Sequence, residues 1–412
     1  MTGAARRGVG SPCAAVAPNL FLPMKTSKIF LRGALNLIAV AGLAASARPA
    51  LLEQTDVFVA GADGVFQYRI PGLVTTTKGT LLAFCDARLR KEGDPPNKIN
   101  LILKRSSDAG KTWGRLQTLA ENGEGAVADS CGVVDRETGT VWIFSVYCPV
   151  GVGSYNAAPG LTGATFLYKA VKSDDDGATW SAPIDVTAMV KKPEWSAGST
   201  GVGRGIQLRN GRLIVPRYRA LYLPGTTTPA ASESYVSYSD DHGKTWKIGA
   251  MAKAPGGTNE CQVAELADGT LLLNMRGVTG NHRKIARSRD GGATWSEASE
   301  DAALIEPRCQ GSLQLFTDTL AQDKNRLLFA NPASLERKNL TVRLSYDEGR
   351  TWPVAKQIHA GPAAYSCLTI LSDLTAACLY EGGEKNAYEK ISFARFNVEW
   401  LTDGADAIGA KR

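Results

Sequence analysis

Short apolar stretches closed by turn residues recur along the whole chain. GTLLAF at 79–84, GTVWIF at 139–144, GRLIVP at 211–216, GTLLLN at 269–274, NRLLFA at 325–330 and LTAACL at 374–379 each read as a turn followed by a strand. A further apolar strand precedes each one: RIPGLV, SCGVVD, RGIQL, CQVAEL, GSLQLF and SCLTIL. Runs this short between turn signals are strand patterns, too brief for helices. Between them SSDAGKTW (106–113), SDDDGATW (173–180), SDDHGKTW (239–246), SRDGGATW (288–295) and SYDEGRTW (345–352) repeat one pattern, S-x-D-x-G-x-T-W. Ser and Asp side chains bond the backbone of a tight turn, Gly supplies a positive φ, and Thr-Trp resumes an extended strand, so each copy reads as a hairpin tip. The copies start 67, 66, 49 and 57 residues apart, somewhat more than the roughly 40–50 residues of a four-stranded propeller blade. Each unit then runs strand, turn, strand, loop, strand, hairpin tip, strand, and only the last unit lacks its box. The pattern predicts an all-β chain: a six-bladed β-propeller of four-stranded antiparallel sheets, whose radial closure leaves no long exposed edge.

This topology sorts residues by face. The turn between first and second strands and the hairpin between third and fourth lie on one side. Starts of first strands and ends of second strands lie on the other, and there the units differ. Arg69, Asp129, Arg204, Glu260, Gln310 and Tyr365 lie at or near first-strand starts, while second-strand ends supply Arg88, Arg276 and Tyr380. Five equivalent aspartates in the boxes are structural, since an active site is built once.

Charge and composition narrow the class. With 44% hydrophobic and 21% charged residues and 43 Gly, the chain reads as globular and rich in turns. The net charge of +7 is concentrated at the start: residues 1–47 hold five basic and no acidic residues, leaving 42 basic against 40 acidic. A nearly neutral body argues against a nucleic acid partner. From Met24, read as the true start, Lys25, Lys28 and Arg32 precede an apolar run at 34–45 and then Ala45-Ser46-Ala47, the succession of a cleaved export signal. Residues 1–47 are thus expected to be a leader removed near Ala47, and 48–412 one propeller domain that is secreted or periplasmic. The twelve-residue apolar run is shorter than the about 20 residues that span a bilayer, so no stable membrane insertion is expected. Seven cysteines remain beyond the leader, an odd number, with no C-x-x-C, and the only histidines are His242, His282 and His359. Metal sites and a Ser-His-Asp triad lack their usual parts.

YRIP at 68–71, the repeated boxes, NE at 259–260, MRG at 275–277, TVRLS at 341–345 and LYEGG at 379–383 together resemble the bacterial exo-α-sialidases (neuraminidases) with Asp-box repeats, over about residues 55 to 401. The resemblance implies a glycoside hydrolase without cofactor or metal that removes terminal sialic acid from sialylated glycans, glycoproteins or glycolipids with retention. It implies that Arg69, Arg276 and Arg343 grip the sugar carboxylate, a task suited to the planar fork of Arg. Glu399, in FNVEW, then matches the carboxylate that steadies Arg69. Arg88 matches the contact to the 4-hydroxyl, with Arg90 a competitor, and Asp129 lies toward the acylamino side. Asp94, in KEGDPPN, matches the acid/base residue. Tyr380 matches the nucleophile, with Glu260 its base and Tyr365 the alternative on the same face. A sialoside's anomeric carbon already bears a carboxylate, so a tyrosine deprotonated by a Glu approaches with less repulsion than an anionic carboxylate. Tyr380 is therefore expected within hydrogen-bond reach of Glu260, and Tyr365 farther away. Trans-sialidases and anhydro-forming enzymes would share the first half of this chemistry. A non-catalytic glycan-binding propeller is the alternative of another class, and Tyr380, Glu260 and Asp94 together speak against it.

Overall fold

Antiparallel strands joined by short turns make up the fold, and the computed structural model describes residues 48–410 apart from 224 and 227. The expected leader, 1–47 with its start at Met24, lies outside the described residues. The strands form sheets of nine, seven, five and four members. Within them the repeating unit of the sequence is visible. Gln67–Thr75, Leu81–Arg88, Ile99–Ser106 and Gln117–Ala120 follow one another in antiparallel register. Ala126–Val134, Val141–Cys148, Leu167–Ser173 and Ile184–Asp185 repeat the order, as do Thr258–Glu265, Leu271–Gly277, His282–Ser288 and Ser299–Ile305. Leu213–Leu221 pairs with Ala231–Ser239, which pairs with Lys247–Ile248; on its other edge Leu213–Leu221 takes the broken segments Ala197–Thr200 and Ile206–Gln207.

The C-terminal strands depart from the simple reading. Val354–Ile370 is one 17-residue strand. Its first half pairs with Lys338–Ser345 and its second with Ala376–Gly382, so it ends one unit and begins the next. Among the described residues no further strand of that unit follows Lys390–Phe396, and the fourth place is taken by Leu52–Val59 from the start of the described chain. Reading in chain order left the last unit incomplete; a strand more than 300 residues away in sequence completes it.

The boxes fold as turns. In each, the Ser Oγ accepts from the Gly N–H at 2.8–2.9 Å, and the Asp carboxylate takes both the N–H and the hydroxyl of the Thr. The glycines have positive φ and lie flat on another unit. A Cβ on Gly110 would fall 2.1 Å from the Phe393 ring, and one on Gly177 or Gly243 would strike Leu82 or Trp142. Trp113 meets Phe393 and Trp246 meets Phe144 edge to face, so tryptophans do pack across units. Trp246 is buried, whereas the other four box tryptophans are half-buried.

Candidate active site

Register places the boxes and the variable residues at opposite ends of a unit. In the first unit Thr75 pairs with Leu81 and Leu81 with Ser106, where a box begins; Gln67, Arg88 and Ile99 align at the far end. At that far end four first strands break register, between Arg69 and Gly72, Ala128 and Cys131, Thr258 and Cys261, and Ala363 and Ser366. A bulge re-aims side chains that a regular strand would send to alternating faces. The interrupted segments carry Asp129, Glu260 and Tyr365, and Arg69 stands at the edge of the first. Two bulge residues have positive φ, Ile70 at 60° and Asp129 at 55°. For a β-branched residue this is a strained backbone. The Ile70 N–H is held by Glu381 Oε1 at 2.7 Å.

The bulges bring together a cluster of arginines, tyrosines and two glutamates. Arg69 Nε donates to Glu381 Oε1 at 2.6 Å, and Glu381 Oε2 accepts the Tyr365 N–H at 3.1 Å. The Arg69 guanidinium lies 4.2 Å from the centre of the Tyr388 ring and 5.2 Å from that of Tyr365. Arg276 Nη1 donates to Glu260 Oε2 at 2.6 Å and to Tyr365 Oη at 2.9 Å. Tyr365 Oη in turn donates to Glu260 Oε1. Arg337 Nη1 donates to Tyr388 Oη at 2.7 Å, and its guanidinium stands 5.5 Å from the Tyr365 ring centre. Burial, and then the charge of Glu260, push the Tyr365 pKa well up, so the phenol keeps its proton in the absence of a ligand.

A carboxylate group flanks this cluster. Arg88 Nη2 donates to Asp94 Oδ1 at 2.5 Å. Dehydration draws the Asp94 pKa upward, but Arg88, aided by Arg69 and Arg276, outweighs it and holds the carboxyl below the usual range. Asp129 behaves oppositely: burial, with Asp94 and Glu260 nearby, lifts its pKa to about 7. The Asp129 N–H donates to Asp86 Oδ1 at 3.1 Å, and Asp86, buried with Oδ2 unpartnered, is raised well above the carboxylate range by its burial and by Asp129.

Against the expected set, Arg69, Arg276, Glu260, Arg88, Asp94 and Asp129 come together. Three residues do not join them. Tyr380 sits next to Glu381 on one strand, and successive side chains point to opposite faces; Glu381 faces Arg69, so Tyr380 faces away. Its hydroxyl bonds Gln54 Nε2 at 3.1 Å, its ring neighbours His359, and burial lifts its pKa to about 12. The tyrosine on Glu260 is Tyr365, reversing the expected order. Arg343, in mid-strand, is buried and donates to Asn331 Oδ1 at 2.9 Å; the third arginine at the cluster is Arg337, in the loop before that strand. Glu399 is buried in the short helix Val398–Leu401, and Arg69 is held instead by Glu381. Arg337 and Tyr388 escaped the sequence reading, although ERK and NAYEK lie in polar loops at strand ends of the same face. Arg204, expected on this face, instead pairs with Gly132, deeper along the strands.

Comparison with known proteins bears on this geometry. The BNR repeat-like domain matches residues 79–378. A sialidase of Bacteroides fragilis is 37% identical over 344 residues, covering 78% of this chain and 61% of the relative. A sialidase of Micromonospora viridifaciens is 36% identical over 379 residues, covering 88% of this chain and 56% of the relative. The chain thus spans little more than half the length of these relatives. Among solved structures, the Hadza microbial sialidase Hz136 superposes with a TM-score of 0.76 at 33% identity, covering 84% of this chain and 69% of that one.

Proposed function

Because the chain belongs to the sialidase family built on BNR repeat-like domains, we propose that it is an exo-α-sialidase acting on sialylated glycans by a retaining mechanism with Tyr365 as nucleophile. The observation that carries this reading is the bonded set Tyr365, Glu260 and Arg276 beside Arg69 and Arg337. The fold is read as six four-stranded blades. Supporting this, the first box packs on Phe393 of the last unit, whose sheet Leu52–Val59 completes. The succession of basic, apolar and small residues at 24–47 supports export.

The arginines Arg69, Arg276 and Arg337 receive the sugar carboxylate. Their mutual repulsion is relieved when an anion arrives, and each offers a planar fork. Glu260 accepts the phenolic proton as Tyr365 Oη attacks the anomeric carbon. The bond to the leaving oxygen breaks, and that oxygen takes the proton of Asp94. Water, giving its proton to Asp94, then displaces Tyr365, which recovers its proton from Glu260. In the free protein the guanidinium charges hold Asp94 ionised. A bound carboxylate cancels part of that charge, so substrate itself raises the pKa of its proton donor.

The test uses purified protein and sialyllactose, with the released sugar followed by NMR. The expected product is free sialic acid appearing first as the α-anomer. Tyr365→Phe should lower the rate by orders of magnitude while Tyr380→Phe leaves it near wild type. A difluorosialic acid trap should modify the peptide that contains Tyr365. Modification at Tyr380, or full activity of Tyr365→Phe, would overturn the assignment.

A further inference from the structure

The box-bearing end of the structure has chemistry of its own. There the turns after the first strands surround a cavity of about 520 Å³, lined by Val74–Gly79, Arg136, Arg204, Gln207 and 369–372. A second cavity of about 340 Å³ shares Arg136, Arg204, Ile206, Gln207 and Gln314 with it. Arg204 lines both, and its Nε is buried without a hydrogen-bond partner. Burial, first, and then the charge of neighbouring Arg136 lower the Arg204 pKa.

The acids around the cavities are committed elsewhere. Glu265 and Asp318 both pair with Arg209. Asp135 is taken by His242 and by the Gln207 amide. Among the described residues Arg204 and Arg136 have no carboxylate partner. Across the cavity the hydroxyls of Thr75 and Thr369, 3.0 Å apart, belong to walls that mix the apolar Val74, Ile206 and Ile370 with Thr76, Gln207 and Gln314. Arg204 is half-buried and Arg136 exposed; leaving the buried Nε edge of a guanidinium without a partner is costly, and an oxyanion would supply both the charge and the acceptor that this edge lacks.

We propose that this cavity is a binding site for a small oxyanion, phosphate or carboxylate, held by Arg204 and Arg136 at the end opposite the Glu260–Tyr365 pair. Its ligand enters past Lys78, which is exposed at the rim. The site is independent of the proposed chemistry and survives or fails separately from it.

Calorimetric titration of the full chain with sodium phosphate, and separately with sodium acetate, tests it. Wild type should bind at least one anion, and the choice between them identifies the source. Because the arginines of the other face can also take an anion, each titration is repeated with Arg276→Met, which should retain the Arg204-dependent binding. Arg204→Met should weaken that binding about tenfold or more without changing sialoside hydrolysis or melting temperature in anion-free buffer. Arg136→Gln gives the same comparison if Arg204→Met does not fold. Wild-type binding of neither anion below about 10 mM, or unchanged binding by both variants, would overturn the proposal.

Discussion

One residue of register separates Tyr380 from Glu381, and with it a phenol bonded to Gln54 from a carboxylate bonded to Arg69. The motif LYEGG lies on Ala376–Gly382, whereas Tyr365 stands on the neighbouring strand Val354–Ile370; alternation alone gives Tyr380 two faces, and the sequence does not say which neighbour each face meets. Arg343 fails for a related reason. A mid-strand Arg can lie buried against its own sheet, as its bond to Asn331 shows, whereas a loop Arg at the strand end reaches the variable face. The roles are therefore separable by experiment. Arg337→Lys should raise KM for a sialoside about tenfold or more through the loss of the planar fork, with little change in melting temperature. Arg343→Lys should do the reverse, lowering the melting temperature and leaving KM near wild type. Asp129 offers a test in pH. Its pKa, about 7 when folded, lies above the ordinary Asp value of about 3.9, so between those values the folded chain holds a proton that the unfolded chain has lost. Stability from this group is then lost as pH rises through that window. Asp129→Asn should gain in melting temperature over wild type at pH 8, and that gain should largely vanish at pH 4.

At the scale of the element, the boxes were legible because their chemistry is local. Ser, Asp, Gly and Thr close the turn within eight residues, and each bond lies inside the pattern. The bulges that aim Asp129, Glu260 and Tyr365 left no such mark, since a bulge exists only relative to the partner strand. What the box does beyond its own turn also needed the structure. Gly110, at φ +87°, leaves no room for a Cβ beside Phe393, while Gly269, at φ +84°, has nothing within 4 Å. Both positions carry the backbone penalty of a left-handed residue, about 1–2 kcal/mol on replacement by Ala. Only Gly110→Ala adds a clash with a neighbouring unit, about 1–3 kcal/mol more. Urea unfolding should rank wild type above Gly269→Ala and Gly269→Ala above Gly110→Ala. Equal losses would mean that the box turn is not pressed against Phe393. Turnover by the folded fraction should stay unchanged in both, because the box turn of Gly110 and the strand turn of Gly269 lie at the end of the units remote from Glu260.

For the described chain as a whole, the question is whether it melts as an array of separate units or as one body. A linear repeat array can lose its ends first, because each unit touches only its neighbours. Here the strand Leu52–Val59 joins the first and last units. It pairs with Lys390–Phe396, while its Phe58 ring lies 5.2 Å from that of Tyr68 in the first unit and under the Lys104 ammonium. Lys104 Nζ also donates to the Val57 carbonyl at 3.0 Å. Phe58 and Val57 are both buried, at 1% and 4% exposure. Removing the Phe58 ring should therefore loosen the first and last units together, and through them Arg69, whose partner Glu381 stands on the last unit's strand Ala376–Gly382. Phe58→Ala is expected to cost about 3–5 kcal/mol. That loss should appear as one shifted transition, the same by far-UV circular dichroism, tryptophan fluorescence and the decay of sialoside hydrolysis. An early transition in hydrolysis, with fluorescence from the buried Trp246 unchanged, would show that the N-terminal strand holds only its own unit and that the remaining sheets stand without it.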